Sequence, residues 1–136
     1  MEIVERIERD GLRYIYYASE IHEFVFTGGS DAGLENFFEI ARDLLDASKP
    51  EDTMRYIIDT TQSTTNNQMG KLVRGFRKLE AQVGERAAGR TVILHDGSVL
   101  LSLADTFLST LAPAKDKTRF FTADERDNAI AWLLSE

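Results

Sequence analysis

Apolar residues repeat with the two-residue period of strands in some segments and with the roughly 3.6-residue period of helices in others. Three strand-like segments come first, and helical and strand-like segments then alternate along the chain. The predicted strands are Ile3–Arg9, Leu12–Tyr17, His22–Thr27, Met54–Asp59, Arg90–His95 and Lys117–Phe121. Between the first two, Asp10-Gly11 tolerates the positive φ angles of a tight turn, which indicates a hairpin.

Four amphipathic helices are predicted between and after these strands. The first two have apolar faces made of Leu34, Phe37, Phe38, Ala41, Leu44 and Leu45, and of Met69, Leu72, Val73, Phe76, Leu79 and Val83. The third has apolar positions from Leu100 to Leu111 and ends before Pro113. The fourth begins at Thr122, which has the capping-box spacing to Glu125.

The order of these elements predicts the fold class. From residue 22 onward strands and helices alternate, which favours a parallel sheet with right-handed crossovers. We therefore expect an α/β fold with a mostly parallel sheet of about five to six strands, an N-terminal antiparallel hairpin and four helices. With 136 residues and no linker or internal repeat, residues 1–136 are expected to form a single domain.

Composition narrows the classes of function. The chain has no cysteine, which excludes disulfides, thiolate metal sites and cysteine nucleophiles. The N-terminus is acidic and lacks an apolar signal segment, and no apolar run is long enough to span a membrane. We expect a soluble, cytoplasmic protein without a membrane span. A formal net charge of −7 argues against binding to nucleic acid.

Charge is distributed unevenly between the first two helices. From Asp31 to Asp52 there are seven acids against two basic residues, whereas from Asn66 to Arg90 there are six basic residues against two acids. Lys71, Arg74 and Lys78 are spaced at i, i+3 and i+7, so they lie on one stripe of the second helix. The two helices either present ordinary solvated faces or provide a basic docking surface for an acidic partner.

The most unusual segment is the polar run from Thr60 to Asn67, which leads into the second helix. Helix N-termini favour anions, because their first backbone N–H groups have no partner within the helix. The candidate residues for anion binding or phosphorylation are Ser63, Thr64, Thr65 and Asn66. The alternative is a polar loop whose hydroxyl groups only cap the helix.

Ligands of open parallel sheets bind beyond the carboxyl ends of the strands. The candidate cleft residues there are Asp59, Thr60, His95 and Asp96. Asp59 and His95 could also form a hydrolase triad with Ser63 or Ser98, but no nucleophile elbow of the Gly-x-Ser-x-Gly type is present. Only two histidines and no cysteine occur, so we expect no metal site. Because no catalytic machinery is recognisable, we also expect no cofactor and no enzymatic activity.

Aromatic residues are concentrated in the first three predicted strands, on both strand faces. They are Tyr14, Tyr16, Tyr17, Phe24 and Phe26. They either pack in the core or leave a sheet face open for a homodimer or a lipid.

The C-terminal half resembles the SpoIIAA-like, or STAS, superfamily of bacterial regulatory domains. The resemblance is carried by Arg90–Asp96, the helix from Val99 to Leu111, and the ending Lys117–Phe121 followed by Ala129-Ile130-Ala131-Trp132-Leu133. A strand ending in Phe before an Ala-x-x-Trp-Leu helix is typical of small STAS-like proteins. The likeness covers residues 50–136 by motif and implies the STAS βα superhelix as the fold.

The resemblance also implies a function. In the anti-sigma factor antagonists of this superfamily, a partner kinase phosphorylates a serine at the start of the second helix and thereby switches binding. The matching region is Asp59 to Asn67, where Ser63-Thr64-Thr65-Asn66 lacks the acid and the glycine of the usual Asp-Ser-[Ser/Thr]-Gly signature. Related folds bind lipids or nucleotides in a cleft beside this helix.

Two main hypotheses of function follow. The first is a non-enzymatic regulatory domain that binds a kinase-like or anti-sigma-like partner through the Thr60–Asn67 loop and the stripe of Lys71, Arg74 and Lys78. The second is a carrier with a small molecule or lipid between the sheet and the first or second helix. A hydrolase using Ser63, His95 and Asp59 is a remote third hypothesis.

Overall fold

The computed structural model of the chain describes residues 1–28, 31–62, 67–96 and 117–135. The elements are β1 (Ile3–Arg9), β2 (Leu12–Tyr17), β3 (Ile21–Phe26), α1 (Asp31–Ala47), β4 (Thr53–Asp59), α2 (Asn67–Gln82), β5 (Ala88–His95), β6 (Lys117–Thr122), a 3₁₀ turn (Ala123–Glu125) and α3 (Arg126–Leu134). All six predicted strands and three of the predicted helices are confirmed. The predicted helix from Leu100 to Leu111 lies outside the described residues.

The six strands form one mixed sheet in the order β1-β2-β3-β4-β5-β6. The pairings of β1 with β2 and of β2 with β3 are antiparallel, and the other three pairings are parallel. The α/β class, the N-terminal antiparallel hairpin and the parallel pairing of the later strands are therefore confirmed, within a sheet that is mixed because β2 also pairs antiparallel with β3. β3 ends at Phe26, one residue before its predicted end, and the Thr27 N–H still donates to the carbonyl of Gly11 at 3.1 Å.

Both sides of the sheet bury apolar residues. One side, the α1/α2 face, packs Leu12, Tyr14, Phe24, Phe26, Tyr56, Ile58 and Ile93 against the apolar faces of α1 and α2. The other, the α3 face, packs Ile15, Tyr17, Ile21, Ile57, Val92, Leu94 and Phe121 against α3. Right-handed crossovers between sequential parallel strands place the connecting helices on one face, which explains why α1 and α2 share a side.

The central strand β3 is buried at all six positions. Its side chains alternate, so that Phe24 and Phe26 lie in the α1/α2 core, whereas Ile21 lies in the α3 core. Tyr14 and Tyr17 are buried as well. Core packing is thus the confirmed role of these aromatic side chains, and only Tyr16 is half-buried.

Short polar contacts hold α3 on its face of the sheet. Arg55 Nε donates to the carbonyl of Leu133 at 2.8 Å, and Arg90 Nη2 donates to the carbonyl of Trp132 at 2.7 Å. These arginines bind carbonyls of the last helical turn, and the Trp132 carbonyl also accepts a hydrogen bond from the Ser135 N–H at 3.2 Å. At the other end the Thr122 N–H donates to Glu125 Oε1 at 2.9 Å, which confirms the predicted capping box. No described helix is long and apolar enough to cross a membrane.

Candidate functional site

The carboxyl ends of β4 and β5 lie side by side, as expected for parallel neighbours. Asp59 Oδ1 accepts hydrogen bonds from both the N–H and the hydroxyl of Thr61, at 2.9 and 2.6 Å. The N–H and the hydroxyl of Thr60 both donate to the carbonyl of Leu94, at 3.0 and 2.7 Å. Asp59 and Thr60 therefore shape the start of the polar loop and tie it to β5.

The structure does not bring Asp59 and His95 together. Asp59 is paired with Leu94, whose side chain lies in the α3 core. His95 is the next residue, so its side chain points to the opposite face, where its ring lies 6.4 Å from that of Phe120. No hydrogen bond joins the two described side chains, and the hydrolase hypothesis has no oriented acid–base pair.

The other predicted residues of this region divide in two groups. Asp96 is exposed at the end of β5. Ser63, Thr64, Thr65, Asn66 and Ser98 lie outside the described residues, so anion binding and phosphorylation there stay predictions. Among the residues that the structure describes, no group of three His, Asp or Glu side chains could hold a metal ion.

Lys71, Arg74 and Lys78, the basic stripe, are all exposed on the outer side of α2. Lys71 Nζ makes a salt bridge of 3.4 Å with Asp31 Oδ1, and both side chains are more than half exposed. An exposed pair of this kind contributes little stability. The stripe therefore keeps most of its positive potential available to another molecule.

The one acid within α2, Glu80, lies on the inner side of the helix. Its carboxylate is paired with Arg77 Nη1 at 2.7 Å and with Arg86 Nη1 at 3.4 Å, and its side chain is 4% exposed. From the sequence, Glu80 counted as a countercharge to the basic residues around it. The signal that could have corrected this is its position four residues after Phe76, at the border of the apolar face.

A polar cavity of about 370 Å³ opens at the amino ends of β3 and β4. Its lining is formed by Tyr16, Glu20, His22, Glu51, Asp52, Thr53, Met54 and Arg55. His22 is 8% exposed; its Nδ1 shares a hydrogen bond of 2.7 Å with the Tyr14 hydroxyl, and its ring stacks on Tyr16 at 4.7 Å. The sequence predicted a site at the carboxyl ends of the strands, and no pattern in it indicated a cavity at their amino ends.

Burial lowers the pKa of His22 from 6.5 to about 4, so the imidazole is neutral at neutral pH. In the unfolded chain the same ring binds a proton below about pH 6.5. As the pH falls from 7 towards 4, the unfolded state takes up more protons than the folded state, and stability is lost.

Because of His22, we expect the free energy of unfolding to fall by about 2 kcal/mol between pH 7 and pH 5. The measurement is urea unfolding at both pH values for the wild type and for His22→Gln, which binds no proton. The carboxylates contribute alike in both proteins, so the difference in slope isolates His22. Identical pH dependence in the two proteins would contradict the assignment.

A second, apolar cavity lies between the sheet and α2. Ile58, Leu72, Phe76 and Ile93 contribute to its lining. Its volume of about 20 Å³ has room for about one water molecule and not for a lipid. The carrier hypothesis gains no support from the described residues and stays a prediction.

An ion pair with a buried carboxylate and a partly exposed arginine lies on the α3 face. The Arg126 guanidinium donates to both carboxylate oxygens of Glu23, each at 2.7 Å, and the Tyr17 hydroxyl donates to Oε1. Burial and the neighbouring Glu23 raise the pKa of Tyr17 to about 12, and the same carboxylate raises the pKa of Arg126. Glu23 and Arg126 are 103 residues apart in the sequence, so no local pattern predicts that they pair.

Comparison of the chain with protein-family models, with curated proteins and with solved structures gives no match. The resemblance to the STAS superfamily therefore stays a prediction.

Proposed function

We propose that this chain is a non-enzymatic regulatory domain of the STAS-like kind that binds an acidic segment of a partner protein along the basic stripe. The observation that carries the proposal is the separation of charge across α2. Its three exposed basic side chains face outward, while Glu80 is buried in an ion-pair network with Arg77 and Arg86. The outer face of the helix is thus more positive than its sequence suggests.

The charge of the whole chain favours a short partner segment over a long polyanion. The formal net charge is −7, so a polymer that extends past α2 meets repulsion from the rest of the surface. A short acidic segment of a folded partner can meet the stripe alone. The distribution of charge therefore favours a partner protein over a nucleic acid.

The dimensions of the stripe set the size of the segment. Lys71 and Lys78 are seven residues apart, which corresponds to about 10 Å along a helix. An extended peptide covers that distance in about three residues. Arg74 stands in the middle, where its planar guanidinium can hold a carboxylate with two hydrogen bonds. We infer an acidic tract of three or four residues, on a kinase-like or anti-sigma-like partner as the resemblance implies.

The order of the fold supports the STAS-like part of the proposal. Four consecutive parallel strands run in sequential order, with α1 and α2 between them on one face. The polar loop anchored by Asp59 and Thr60 leads directly into the helix that carries the stripe. The loop and the stripe thus belong to one continuous segment of the chain.

Reversal of charge on the stripe is expected to weaken binding of an acidic probe by at least about tenfold. The variant is Lys71→Glu/Arg74→Glu/Lys78→Glu, and the probe is a fluorescent hexaglutamate peptide whose anisotropy is titrated at low and at moderate salt. Salt should weaken binding to the wild type, because exposed charges are screened.

A matched control makes the same change in net charge elsewhere. Arg42, Lys49 and Lys117 are exposed and lie outside α2, so Arg42→Glu/Lys49→Glu/Lys117→Glu alters total charge without touching the stripe. It should retain most of the affinity. Equal loss in both variants would show that net charge alone governs binding, and no binding to the wild type would overturn the proposal.

A further inference from the structure

β1 forms one edge of the sheet and pairs with β2 alone among the described strands. Six of its seven residues are exposed, and Ile7 is half-buried. Such an edge presents unpaired backbone N–H and C=O groups to any strand of suitable shape. The residues on the strand decide which partner fits.

The side chains of Glu5–Arg9 are arranged as a charge palindrome around Ile7. Reading outward from Ile7, Arg6 and Glu8 have opposite charges, and so do Glu5 and Arg9. A copy of the strand laid antiparallel with Ile7 opposite Ile7 would place every acid opposite a base. Opposite charges directly across two strands stabilise their pairing.

We propose that β1 is the interface of a homodimer, in which the β1 strands of two copies pair antiparallel about Ile7 and join two six-stranded sheets into one. This interface is independent of the basic stripe on α2. Beyond the central isoleucines, Arg6 faces Glu8 of the second copy on one side of the joined sheet, and Glu5 faces Arg9 on the other side.

The geometry of the strand permits this register. From Glu5 onward the pairing with β2 is regular, and the irregularity in β1 lies between Ile3 and Glu5. A twofold axis perpendicular to the sheet keeps each face continuous across the junction, so residues on the same side of the pleat meet. Odd residues then meet odd residues, as the Ile7-centred register requires.

The neighbouring registers are unfavourable. Moving the centre by one residue towards the N-terminus places Arg6 opposite its own copy, and moving it towards the C-terminus places Glu8 opposite its own copy. Like charges directly opposite destabilise paired strands. The charge pattern therefore selects one register. A strand needs a single favoured register in order to pair with one defined partner.

A charged edge can instead serve to prevent association. An edge whose charges all have one sign repels a copy of itself, whereas this edge carries both signs and is complementary to its copy. The existing ion pairs leave room for the second chain, since Arg6, Glu8 and Glu39 (the partner of Arg9) all keep side chains more than half exposed.

Two edge variants test the proposal through their mixture. Arg6→Glu/Arg9→Glu makes the edge wholly acidic, and Glu5→Arg/Glu8→Arg makes it wholly basic. In sedimentation velocity at several hundred micromolar protein, the wild type should have twice the mass of one chain. Each variant alone should be monomeric, and an equimolar mixture should form a heterodimer. Circular dichroism of each variant checks that the fold is kept.

A cross-link tests the register itself. The chain has no cysteine, so Ile7→Cys introduces a single thiol that faces its copy within the Cα separation that a disulfide needs. Oxidised glutathione should convert this variant to a covalent dimer. The control Glu5→Cys, whose thiols would be roughly 13 Å apart, should not cross-link.

Three results would overturn the proposal. They are a wild type that stays monomeric at these concentrations, charge variants that remain dimeric on their own, and a mixture of the two that fails to associate. Equal cross-linking of both cysteine variants would exclude the register centred on Ile7.

Discussion

Arg126→Met is expected to lower the free energy of unfolding by about 3 kcal/mol, one of the two largest single effects we expect. The reason is the position of Glu23, whose side chain is 3% exposed. Without Arg126 the Glu23 carboxylate stays buried, and the Tyr17 hydroxyl is its one remaining hydrogen-bond partner among the described residues. Arg126 itself is 34% exposed, so water can reach the site in part and the loss falls at the low end of the range for buried pairs.

The double variant Glu23→Met/Arg126→Met separates the two contributions to this loss. With both charges gone, no carboxylate remains unpaired in the α3 core, and apolar side chains of similar length occupy the space. We expect the double variant to be more stable than Arg126→Met alone, because replacing both partners of a buried pair is often close to neutral.

Urea unfolding of the two variants and of a surface control provides the measurement. The control is Arg42→Met on α1, where the arginine is 60% exposed and lies 4.0 Å from Asp46. Its change should stay within about 0.5 kcal/mol of the wild type. If Arg126→Met lowers the free energy of unfolding no more than this control does, the pair of Glu23 and Arg126 does not hold α3 on the sheet.

Gly75→Ala is expected to destabilise the protein by about 2–3 kcal/mol, although alanine is the better helix former. α1 and α2 approach each other at this glycine. A methyl group there would lie 2.2 Å from Cζ of Phe38 and within 3 Å of two more atoms of the same ring. The ring cannot swing freely, because it packs against Phe37 at 5.4 Å and borders the core.

Two companion variants identify the contact with Phe38 as the cause. Gly70→Ala lies in the same helix, but its methyl group would meet only the guanidinium of the exposed Arg74, at 3.0 Å or more. We expect it to be neutral or stabilising. Phe38→Leu removes the ring, so Gly75→Ala should cost less in that background than in the wild type.

Thermal and urea unfolding of these variants give the required free energies. A loss at Gly70→Ala equal to that at Gly75→Ala would point to a general effect of alanine in α2. An unchanged cost of Gly75→Ala in the Phe38→Leu background would remove the close approach of the two helices as the explanation.

Local pattern predicted much of the fold from the sequence. The strand from Leu12 to Tyr17 has its observed bounds, and the Asp10-Gly11 turn closes the hairpin with Gly11 at a φ of 73°. The capping box at Thr122 and Glu125 was also predicted. These features depend on residues within a few positions of one another, so their physics is present in the sequence itself.

The candidate sites were predicted less completely. The carboxyl ends of β4 and β5 do meet, but the register places Asp59 and His95 on opposite faces of the sheet. The cavity around His22 was not predicted, because it forms where the β2–β3 turn meets the start of β4, some 30 residues further along the chain. Burial, not sequence context, sets the pKa of this ring.

By itself the sequence determined the described strands and helices, their order, the α/β class and the exposure of the basic stripe. Only the tertiary structure decided where Glu80 and Glu23 lie. Both acids resemble ordinary surface residues in sequence, yet both are buried and paired with arginines, one of them 103 residues away. The physical reason is that charge pairing and burial depend on which elements pack together, and that packing is settled only when the distant parts of the chain meet.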